Sequence, residues 1–479
     1  MRRWMIGLIA ALAVGGAGGA LHFVRDRLIP PAGAVPGLRI EGAVLSRGAD
    51  PRAQIEVRGR RLAGQHIRLR LAPDTPPIET TLGELGVSVD VDTTLRRALD
   101  IGRSGPLAVR LDQILRARAG RIDVPLALAF DPERAVSLLL SSKERLDRSP
   151  RAARLETRTG STLPHQMGRL IELDTALATI RQAASELASA LGAARDSYDL
   201  EIAPLDVEPT VTSSLVERLD HHTLVAEYKS YFGSGGGRGK NIELGASRLD
   251  GIVLPPGEIV SFNEVVGARS KANGFQAAPE IYKGEMVRGI GGGTCQVAST
   301  FYAAAFLAGF DVVERYPHSR PSGYVPLGLD STVSWPGVDL KIRNPWPFPI
   351  LVQARVNGGL LEVALYGRER PASVSWHSET LEILPFERKV TEADFAPDGG
   401  FIRKQKGISG YRILRTRQIL MNDGTRRVEH SVDTYPPTPE HFVVRPGADP
   451  DSVLPPPAEA QPEQGESDPS GNSQTVGAG

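Results

Sequence analysis

The sequence predicts a multidomain α+β protein that begins with an apolar N-terminal helix. Its 479 residues are enough for about two to four domains of ordinary size. Short segments that alternate apolar and polar residues, typical of strands, are interspersed with segments of helical periodicity. The composition, with 41% hydrophobic and 23% charged residues, is that of a globular chain. It excludes a wholly disordered chain and a polytopic membrane protein.

The N-terminus has the pattern of an export signal. Arg2 and Arg3 precede an uncharged apolar run over residues 5–21. Residues 1–27 are therefore predicted to be either a cleaved signal peptide or a membrane anchor. Both alternatives stay open, because the run is close to the shortest membrane span and its small residues also suit cleavage. Either one predicts an extracytoplasmic location in the cell envelope. A Pro-rich stalk follows at residues 28–37.

Charge and cysteine content exclude several classes of function. Lysine plus arginine and aspartate plus glutamate both number 56, so the net charge gives no field that would attract nucleic acid. The single cysteine excludes an intrachain disulfide and a thiolate zinc cluster. The sequence has no metal-binding motif and no complete nucleotide-binding loop. We therefore predict neither a metal nor a cofactor.

Residues 38–215 are predicted to form an α+β region. Alternation predicts strands at residues 54–57 and 67–71. Aspartates at three positions are predicted helix caps: Asp92, Asp131, which precedes a proline, and Asp174. The similarity of the segments around Asp92 and Asp174 suggests an imperfect duplication of one α+β unit. A chance coincidence of two capping sites is the alternative.

Three segments of this region resemble a family of peptidoglycan-binding domains from bacterial envelope proteins. They are residues 81–86, the helix that follows Asp92, and residues 148–155. The resemblance implies that the region binds the cell wall. The alternative is a spacer that lifts the following domain away from the membrane, since nothing in these segments defines a ligand site.

Residues 224–367 contain a series of motifs that resembles the VanW family. The motifs are, in chain order, residues 254–263, 266–267, 274–275, 289–296, 315–319, 324–330 and 339–344. The family is named after an accessory protein of vancomycin-resistance clusters. The resemblance implies a mixed α/β domain that works in the bacterial envelope on peptidoglycan or its precursors, but it implies no particular reaction.

A glycine-rich turn before the single cysteine is the most informative motif. Gly291, Gly292 and Gly293 allow a sharp turn and a close approach of the backbone to a ligand. Thr294 is the predicted N-cap of an uncharged helix, which we expect to be buried. Cys295 then lies in the first turn, where free N–H groups and the helix dipole stabilise a thiolate.

A thiol nucleophile needs a base and an acid that orients it. His318 follows a β-rich run and is the predicted base, while His221 and His222 have the surroundings of a solvated turn. Asp330 is the predicted acid, and Asp339 is the alternative. The alternative is that Cys295 is a small buried apolar residue of the core. A protein that binds its ligand without catalysing a reaction therefore stays open.

Further ligand-binding candidates flank these residues. Gln296 directly follows the cysteine, and Asn263 and Arg315 lie in the motifs before and after it. Together with the glycines and Thr294 they are the predicted ligand-binding set. Asn263 and Arg315 fit equally well as turn or strand-end residues.

Residues 370–447 are predicted to form a small β extension. Strand–turn–strand patterns there resemble the G5 modules that accompany VanW domains, which implies a role in envelope adhesion. Residues 448–479 lack lysine and arginine and are predicted to be a disordered acidic tail. Two functions remain: a peptidoglycan-binding envelope protein, or a Cys-dependent acyl-transferase or hydrolase that acts on peptidoglycan peptides.

Overall fold

A computed structural model describes residues 33–456, except residues 46, 47, 49, 74, 192–196, 234, 283 and 284. The predicted signal peptide or anchor, and most of the Pro-rich stalk, lie outside the described residues. Within the described part of the chain, no helix combines the length and the apolar character that crossing a membrane requires.

Helices and strands are mixed along the chain, as the predicted α+β class requires. The helices are α1 (Pro51–Ala63), α2 (Val91–Asp100), α3 (Leu107–Arg118), α4 (Pro132–Leu146), α5 (Leu173–Ser189), α6 (Ser213–Glu217), α7 (Gly236–Leu249), α8 (Phe262–Val266), α9 (Thr294–Leu307) and α10 (Pro450–Val453). A 3₁₀ turn covers Lys271–Asn273.

The strands are short in the first half of the chain and longer in the second. They are β1 (Arg39–Ile40), β2 (Ala43–Val44), β3 (His66–Arg70), β4 (Ile78–Thr81), β5 (Val87–Val89), β6 (Asp123–Val124), β7 (Leu128–Phe130), β8 (Arg154–Glu156), β9 (Ser161–Leu163), β10 (Gly168–Leu170), β11 (Tyr198–Glu201), β12 (Leu205–Val207), β13 (Thr223–Tyr231), β14 (Val253–Leu254), β15 (Ile259–Ser261), β16 (Ala277–Tyr282), β17 (Glu285–Ile290), β18 (Asp311–Glu314), β19 (Lys341–Arg343), β20 (Ile350–Asn357), β21 (Leu360–Gly367), β22 (Ala372–Leu384), β23 (Arg388–Glu392), β24 (Phe401–Gln405), β25 (Gly410–Met421), β26 (Arg426–Tyr435) and β27 (Glu440–Val444).

The chain divides into two compact units. Within the described residues, the first comprises residues 33–150 and Met167–Glu208, and the second comprises Arg151–Gln166 and residues 209–456. Residues 151–166 thus fold with the second unit although they are flanked by the first. Backbone bonds fix them there, since Ala153 N donates to Val211 O and Leu155 N donates to Gly251 O.

The first unit is built on small sheets covered by helices. Strands β11, β3 and β4 form one sheet, in which β11 runs parallel to β3. Helices α4 and α5 pack against each other over a core that includes Ile67, Leu69, Leu139 and Ile180. Burial of these apolar side chains is the main stabilisation available to so small a unit.

Two local predictions in the first unit are wrong. Residues 54–57 are helical, because Asp50 caps α1 and Pro51 occupies its first turn. This start signal outweighs four residues of alternation. Helix α2 is capped by Asp90 rather than Asp92, and Asp90 Oδ1 accepts from Thr93 N at 2.8 Å.

The predicted helix cap at Asp174 is also wrong, whereas the predicted cap at Asp131 is confirmed. Glu172 occupies the N-cap position of α5, and Asp174 lies in its first turn. The cap at Asp131 is confirmed, with Pro132 directly after it, and so is the strand that begins near residue 67. The duplication of an α+β unit stays a prediction.

The core of the second unit is an antiparallel sheet with the order β13-β21-β20-β14. Helix α9 lies against β13 and β21, and α7 packs on β20 and on α9. Almost every side chain of α9 is buried, including Phe301, Tyr302 and Phe306. The buried apolar helix predicted after the glycine-rich turn is therefore present. Its first turn, which carries Cys295, faces the loops that follow β18.

The C-terminal β region continues the second unit. Strands β22, β25 and β26 form one antiparallel sheet, and β27 lies between β23 and β24 in another. Arg417 lies 4.4 Å above the Phe306 ring and donates to Phe310 O at 3.0 Å, and Arg415 donates to Tyr302 Oη at 2.5 Å. These contacts pack the sheet directly on α9.

The predicted disorder is wrong for residues 448–456. Helix α10 covers Pro450–Val453 with Asp449 as its cap, and Arg388 donates to Pro455 O at 2.8 Å. The cap and this anchor give residues 448–456 an ordered path. The rest of the predicted tail, residues 457–479, lies outside the described residues.

Candidate functional site

A tight turn places Cys295 at the start of α9. Gly291 and Gly293 have φ of +96° and +107°, a region that favours glycine. Asn241 fixes the turn, since its Nδ2 donates to Gly292 O at 2.9 Å. Gly293 is the N-cap, so the predicted cap at Thr294 is wrong. Thr294 is the first helical residue, and its hydroxyl donates to Gly291 O at 3.0 Å.

Cys295 lies in the first turn of α9, as the sequence predicted, and is half-buried. Its Sγ lies 3.5 Å from Val333 O, which accepts a hydrogen bond from the protonated thiol. The unpaired N–H groups at a helix N-terminus also favour the thiolate at this position. The cysteine is therefore neither deep in the apolar core nor freely exposed.

His318 and Asp330 form a tightly bonded pair beside the thiol. His318 Nδ1 lies 2.7 Å from Asp330 Oδ2, and the backbone N of His318 donates to the same oxygen at 2.7 Å. Both residues are buried, with 4% and 1% of their surface exposed. Because Nδ1 is engaged by the carboxylate, Nε2 is the ring nitrogen that faces away from Asp330. Tyr324 Oη lies 3.2 Å from Nε2.

Buried side chains also bind the carboxylate oxygen of Asp330 that does not contact His318. Arg315 Nη2 donates to Asp330 Oδ1 at 2.8 Å, and its Nε donates to the backbone oxygen of the same residue at 2.7 Å. Arg315 Nη1 pairs with Asp433 at 2.5 Å, and the Tyr435 hydroxyl donates to Asp330 Oδ1. Every oxygen of Asp330 therefore has a partner, and its only contact with the imidazole is through Oδ2.

The electrostatics favour a thiolate–imidazolium pair. Burial alone would raise the pKa of Cys295, but hydrogen bonding and charge from His318 outweigh it, and the pKa falls below its usual value. Burial opposes the charged form of His318, yet Asp330 and Cys295 raise its pKa to about 9. The lowered pKa of the thiol and the raised pKa of the imidazole both favour the charged pair over the neutral one.

Asp330 stays ionised although it is buried. Burial alone would raise its pKa, but the hydrogen bond from His318 and the charge of Arg315 hold the pKa well below its usual range. A permanently charged acid of this kind orients the imidazole and stabilises its protonated form.

The structure places Asp339 away from this pair. Its carboxylate accepts from Ser261 Oγ at 2.5 Å and from Asn263 N at 2.9 Å. The side chain of Asn263 donates to Val338 O at 3.0 Å and thereby ties α8 to the strand connection before β19. Asn263 and Asp339 form a separate buried, hydrogen-bonded pair, and the carboxylate that bonds to His318 is that of Asp330.

Gln296 is buried beneath the turn. Its Nε2 donates to Tyr231 O at 2.8 Å and to Ser230 Oγ at 3.0 Å, and its Oε1 accepts from Arg238 at 2.7 Å. Its amide therefore anchors the first turn of α9 to β13. Of the predicted ligand-binding set, Gln296, Thr294 and Arg315 all have their side chains bonded to protein atoms. His222 is exposed and stacks on His221 in the turn before β13.

The sequence interpretation missed Tyr324, Tyr435 and Arg269. Tyr324 lies six residues after His318 in the same loop, so its closeness in the chain could have indicated a contact with the imidazole. Tyr435 is 105 positions from Asp330, and no local pattern connects them. Arg269 follows α8 and interacts with Cys295 through charge. In the part of the chain that the structure describes, no group of three or more His, Cys, Asp or Glu side chains could hold a metal.

Two segments match known family models. Residues 237–366 match the family described as "VanW like protein", and residues 78–190 match the one described as "Putative peptidoglycan binding domain". Cys295, His318 and Asp330 all fall within the first match. Both family resemblances inferred from the sequence motifs are confirmed, whereas the resemblance of residues 370–447 to G5 modules stays a prediction.

Two curated proteins are similar to part of the chain. "Uncharacterized protein YoaR" of Bacillus subtilis (strain 168) is 41% identical over 171 residues, which is 36% of this chain and 56% of that protein. "Vancomycin B-type resistance protein VanW" of Enterococcus faecalis (strain ATCC 700802 / V583) is 28% identical over 109 residues, 22% of this chain and 40% of that protein. The matches thus span about half of these relatives. The chain carries a VanW-like domain and a domain of the peptidoglycan-binding type.

Proposed function

We propose that this protein works in the bacterial cell envelope as a cysteine acyl-transferase or hydrolase on the peptides of peptidoglycan. Cys295 is the nucleophile, His318 the general acid and base, and Asp330 the residue that orients the imidazole. The observation that carries the proposal is the buried His318–Asp330 pair beside a thiol at a helix N-terminus. A purely structural cysteine needs no such pair.

The first half of the reaction follows from the charges of the pair. The Cys295 thiolate attacks the carbonyl carbon of a peptide bond and forms a C–S bond, and the carbonyl oxygen becomes an oxyanion. When the intermediate collapses, the C–N bond breaks and His318 gives its Nε2 proton to the departing amine. The product is a thioester on Cys295 and a free amine. Asp330 keeps Nδ1 bonded throughout.

The second half regenerates the thiolate. An amine from another peptide, or a water molecule, gives a proton to the now neutral His318 as it attacks the thioester carbonyl. The C–S bond breaks, and the enzyme returns to the thiolate–imidazolium state. An amine yields a new peptide cross-link, and water yields a carboxylate. Both outcomes use the same residues, so the geometry supports the class of reaction rather than one acceptor.

The substrate is proposed from the domains that accompany the site. Residues 78–190 match a peptidoglycan-binding family model, and a relative of the VanW-like domain is named for vancomycin resistance. Peptidoglycan peptides also supply the amide carbonyls and free amines that the two half-reactions require. The uncharged run over residues 5–21 supports the envelope location. A reporter fused after Gly479 should be active outside the cytoplasm, and activity confined to the cytoplasm would contradict this location.

Binding without chemistry is the second candidate. It is favoured by the same peptidoglycan-binding match, which needs no catalytic residue. In that case the wild-type chain would co-sediment with peptidoglycan and leave it unchanged. The function of the protein would then be peptidoglycan binding by the first unit.

Turnover of purified muropeptides by the full chain, followed by mass spectrometry, tests the proposal. We expect altered cross-links or released amino acids with the wild-type chain and none with Cys295→Ser. His318→Ala should reduce turnover by about 10²-fold or more, as expected when a general base is removed. His222→Ala is the matched control, because that imidazole is exposed and should leave turnover unchanged. Equal turnover by wild type and Cys295→Ser would refute the mechanism.

A further inference from the structure

Arg269 lies beside the turn that carries the nucleophile. The residue follows α8, and its guanidinium stands 5.3 Å from the centroid of the Phe262 ring. Its side-chain stem packs against Gly291, where an added Cβ would come within 2.7 Å of Arg269 Cβ. The glycine therefore leaves room for the arginine, and the arginine is held next to the segment that ends at Cys295.

One edge of this guanidinium has no partner in the protein. Nη1 donates to Gly267 O at 2.9 Å. Within the described part of the chain, the buried Nε and Nη2 atoms have no hydrogen-bond acceptor. The neighbouring Arg248 differs, since it donates to Val266 O and to Asn273 O. Leaving buried N–H groups of a cation unpaired is costly, so these two atoms call for a partner that the described residues do not supply, such as a ligand, an ion or water.

The geometry of the free edge indicates the ligand class. Nε and Nη2 are adjacent on a guanidinium and present two parallel N–H bonds, which match the two oxygens of a carboxylate. The chain uses the same edge elsewhere, since Arg388 Nε and Nη2 both donate to Glu440 Oε2, at 3.2 and 3.1 Å. At Arg269 this edge is buried and, among the described residues, unpaired.

The charge is retained at this position. Burial lowers the pKa of Arg269 to about 10, while the charges of Cys295 and Asp339 favour its protonated form. At neutral pH the group therefore remains a cation. Asp339 is already committed to Ser261 and Asn263. The positive charge is thus available to an incoming anion.

We propose that Arg269 binds a carboxylate of the substrate next to Cys295, through the edge formed by Nε and Nη2, and so selects acyl donors with a free carboxylate close to the scissile amide. This proposal rests on the proposed function for the identity of the nucleophile, but not for the binding of the anion. The alternative role of Arg269 is to stabilise the thiolate alone, which would favour charged and neutral substrates equally.

Two alkylating reagents separate these roles on the full chain. Iodoacetate carries a carboxylate directly on its reactive carbon, and iodoacetamide replaces it with a neutral amide. We expect iodoacetate to alkylate Cys295 with saturation kinetics. In Arg269→Gln the ratio of the two rates should fall about tenfold or more, the effect of losing a bidentate ion pair. Lys271→Gln is the matched control, since it removes an exposed positive charge two residues away.

Arg269→Lys keeps the positive charge but removes the two parallel N–H bonds of the guanidinium. The variant should therefore lose much of the preference for iodoacetate, while its rate with iodoacetamide is retained. If Arg269→Gln slows both reagents equally, or changes neither, carboxylate recognition is overturned. The variant with lysine also covers the case in which Arg269→Gln does not fold.

A second measurement does not depend on the thiol. N-acetylalanine and its neutral amide are titrated into the Cys295→Ser chain by calorimetry, with and without Arg269→Lys. Binding of the acid alone, weakened by Arg269→Lys, supports the anion site even if Cys295 proves unreactive and the proposed function fails. Equal binding of acid and amide, or none of either, refutes the anion site whatever the cysteine does.

Discussion

Tyr435, the last residue of β26, donates a hydrogen bond from its hydroxyl to Asp330 Oδ1. The same hydroxyl accepts from Gly328 N at 2.8 Å. Next to it, Asp433 pairs with Arg315, which itself holds Asp330. The C-terminal β region therefore supplies part of the support of the acid that orients His318. It is built into the second unit and contributes to the site.

Tyr435→Phe should remove the hydrogen bonds of the hydroxyl without leaving a cavity in the core. The ring stays buried, but Asp330 loses a donor and Gly328 loses an acceptor, so the free energy of unfolding should fall by about 1 to 3 kcal/mol. Because Asp330 is then held less firmly, alkylation of Cys295 at neutral pH should slow. Urea unfolding and iodoacetamide rates measure the two effects.

The exposed Tyr231→Phe is the control for Tyr435→Phe and should change neither quantity. A Tyr435→Phe variant whose alkylation rate and pH profile equal those of wild type would show that the C-terminal region has a structural role only.

The sequence predicted the position of Cys295 and the residues near it better than the contacts that support them. Three glycines, a threonine and a cysteine before an uncharged helix form a local pattern, and one helical turn is enough to fix the position of Cys295. His318 and Asp330 lie 12 positions apart, within one loop. Tyr435 and Arg269 reach the site only through tertiary packing, and no periodicity marks either residue.

The mistaken local predictions concern where helices begin. Asp92 lies in the first turn of α2 because the side chain of Asp90 reaches the free N–H of Thr93. Asp174 lies in the first turn of α5, where Glu172 holds the N-cap position without a side-chain capping bond. Residues 54–57 are helical because the cap at Asp50 and the proline after it start a helix there, and this favours the helix over the strand that their alternation predicts. At this segment the start signal therefore outweighs the short alternating run.

The reactivity of Cys295 should depend on pH through His318. The thiol pKa is lowered and the His318 pKa is raised to about 9, so both shifts favour the ion pair, which is lost as His318 deprotonates above about pH 9. Iodoacetamide labelling of the folded chain should therefore have a midpoint below the ~8.5 of a free cysteine. In His318→Ala the midpoint should rise, because the main interaction that favours the thiolate is gone.

His222→Ala is again the control for the labelling experiment and should keep the wild-type midpoint. Labelling of Cys295 only after denaturation would mean that the thiol is a core residue, and the nucleophile would be lost from the proposed mechanism.

Acid should destabilise the second unit through Asp330. Its pKa in the folded chain lies below the ordinary value of 3.8, so the unfolded state takes up a proton first as pH falls. The stabilisation is complete above the ordinary pKa and is lost as pH drops below about 4 toward the folded pKa. Wild type should therefore lose more unfolding free energy between pH 7 and pH 3 than Asp330→Asn. Equal losses in urea unfolding would show that Asp330 is not held ionised.

The turn before Cys295 should not tolerate even a methyl group at its centre. A Cβ on Gly292 would overlap Pro279 O and lie 2.9 Å from Ala278 O, both backbone atoms of β16 that cannot rotate away. Gly292→Ala should therefore lower the unfolding free energy by about 1 to 3 kcal/mol, the range for overpacking, and should slow alkylation of Cys295 because the start of α9 is displaced. Gly323→Ala is the matched control, since a Cβ there meets nothing within 4 Å. If Gly292→Ala alkylates and unfolds like Gly323→Ala, the close packing of this turn does not position the cysteine.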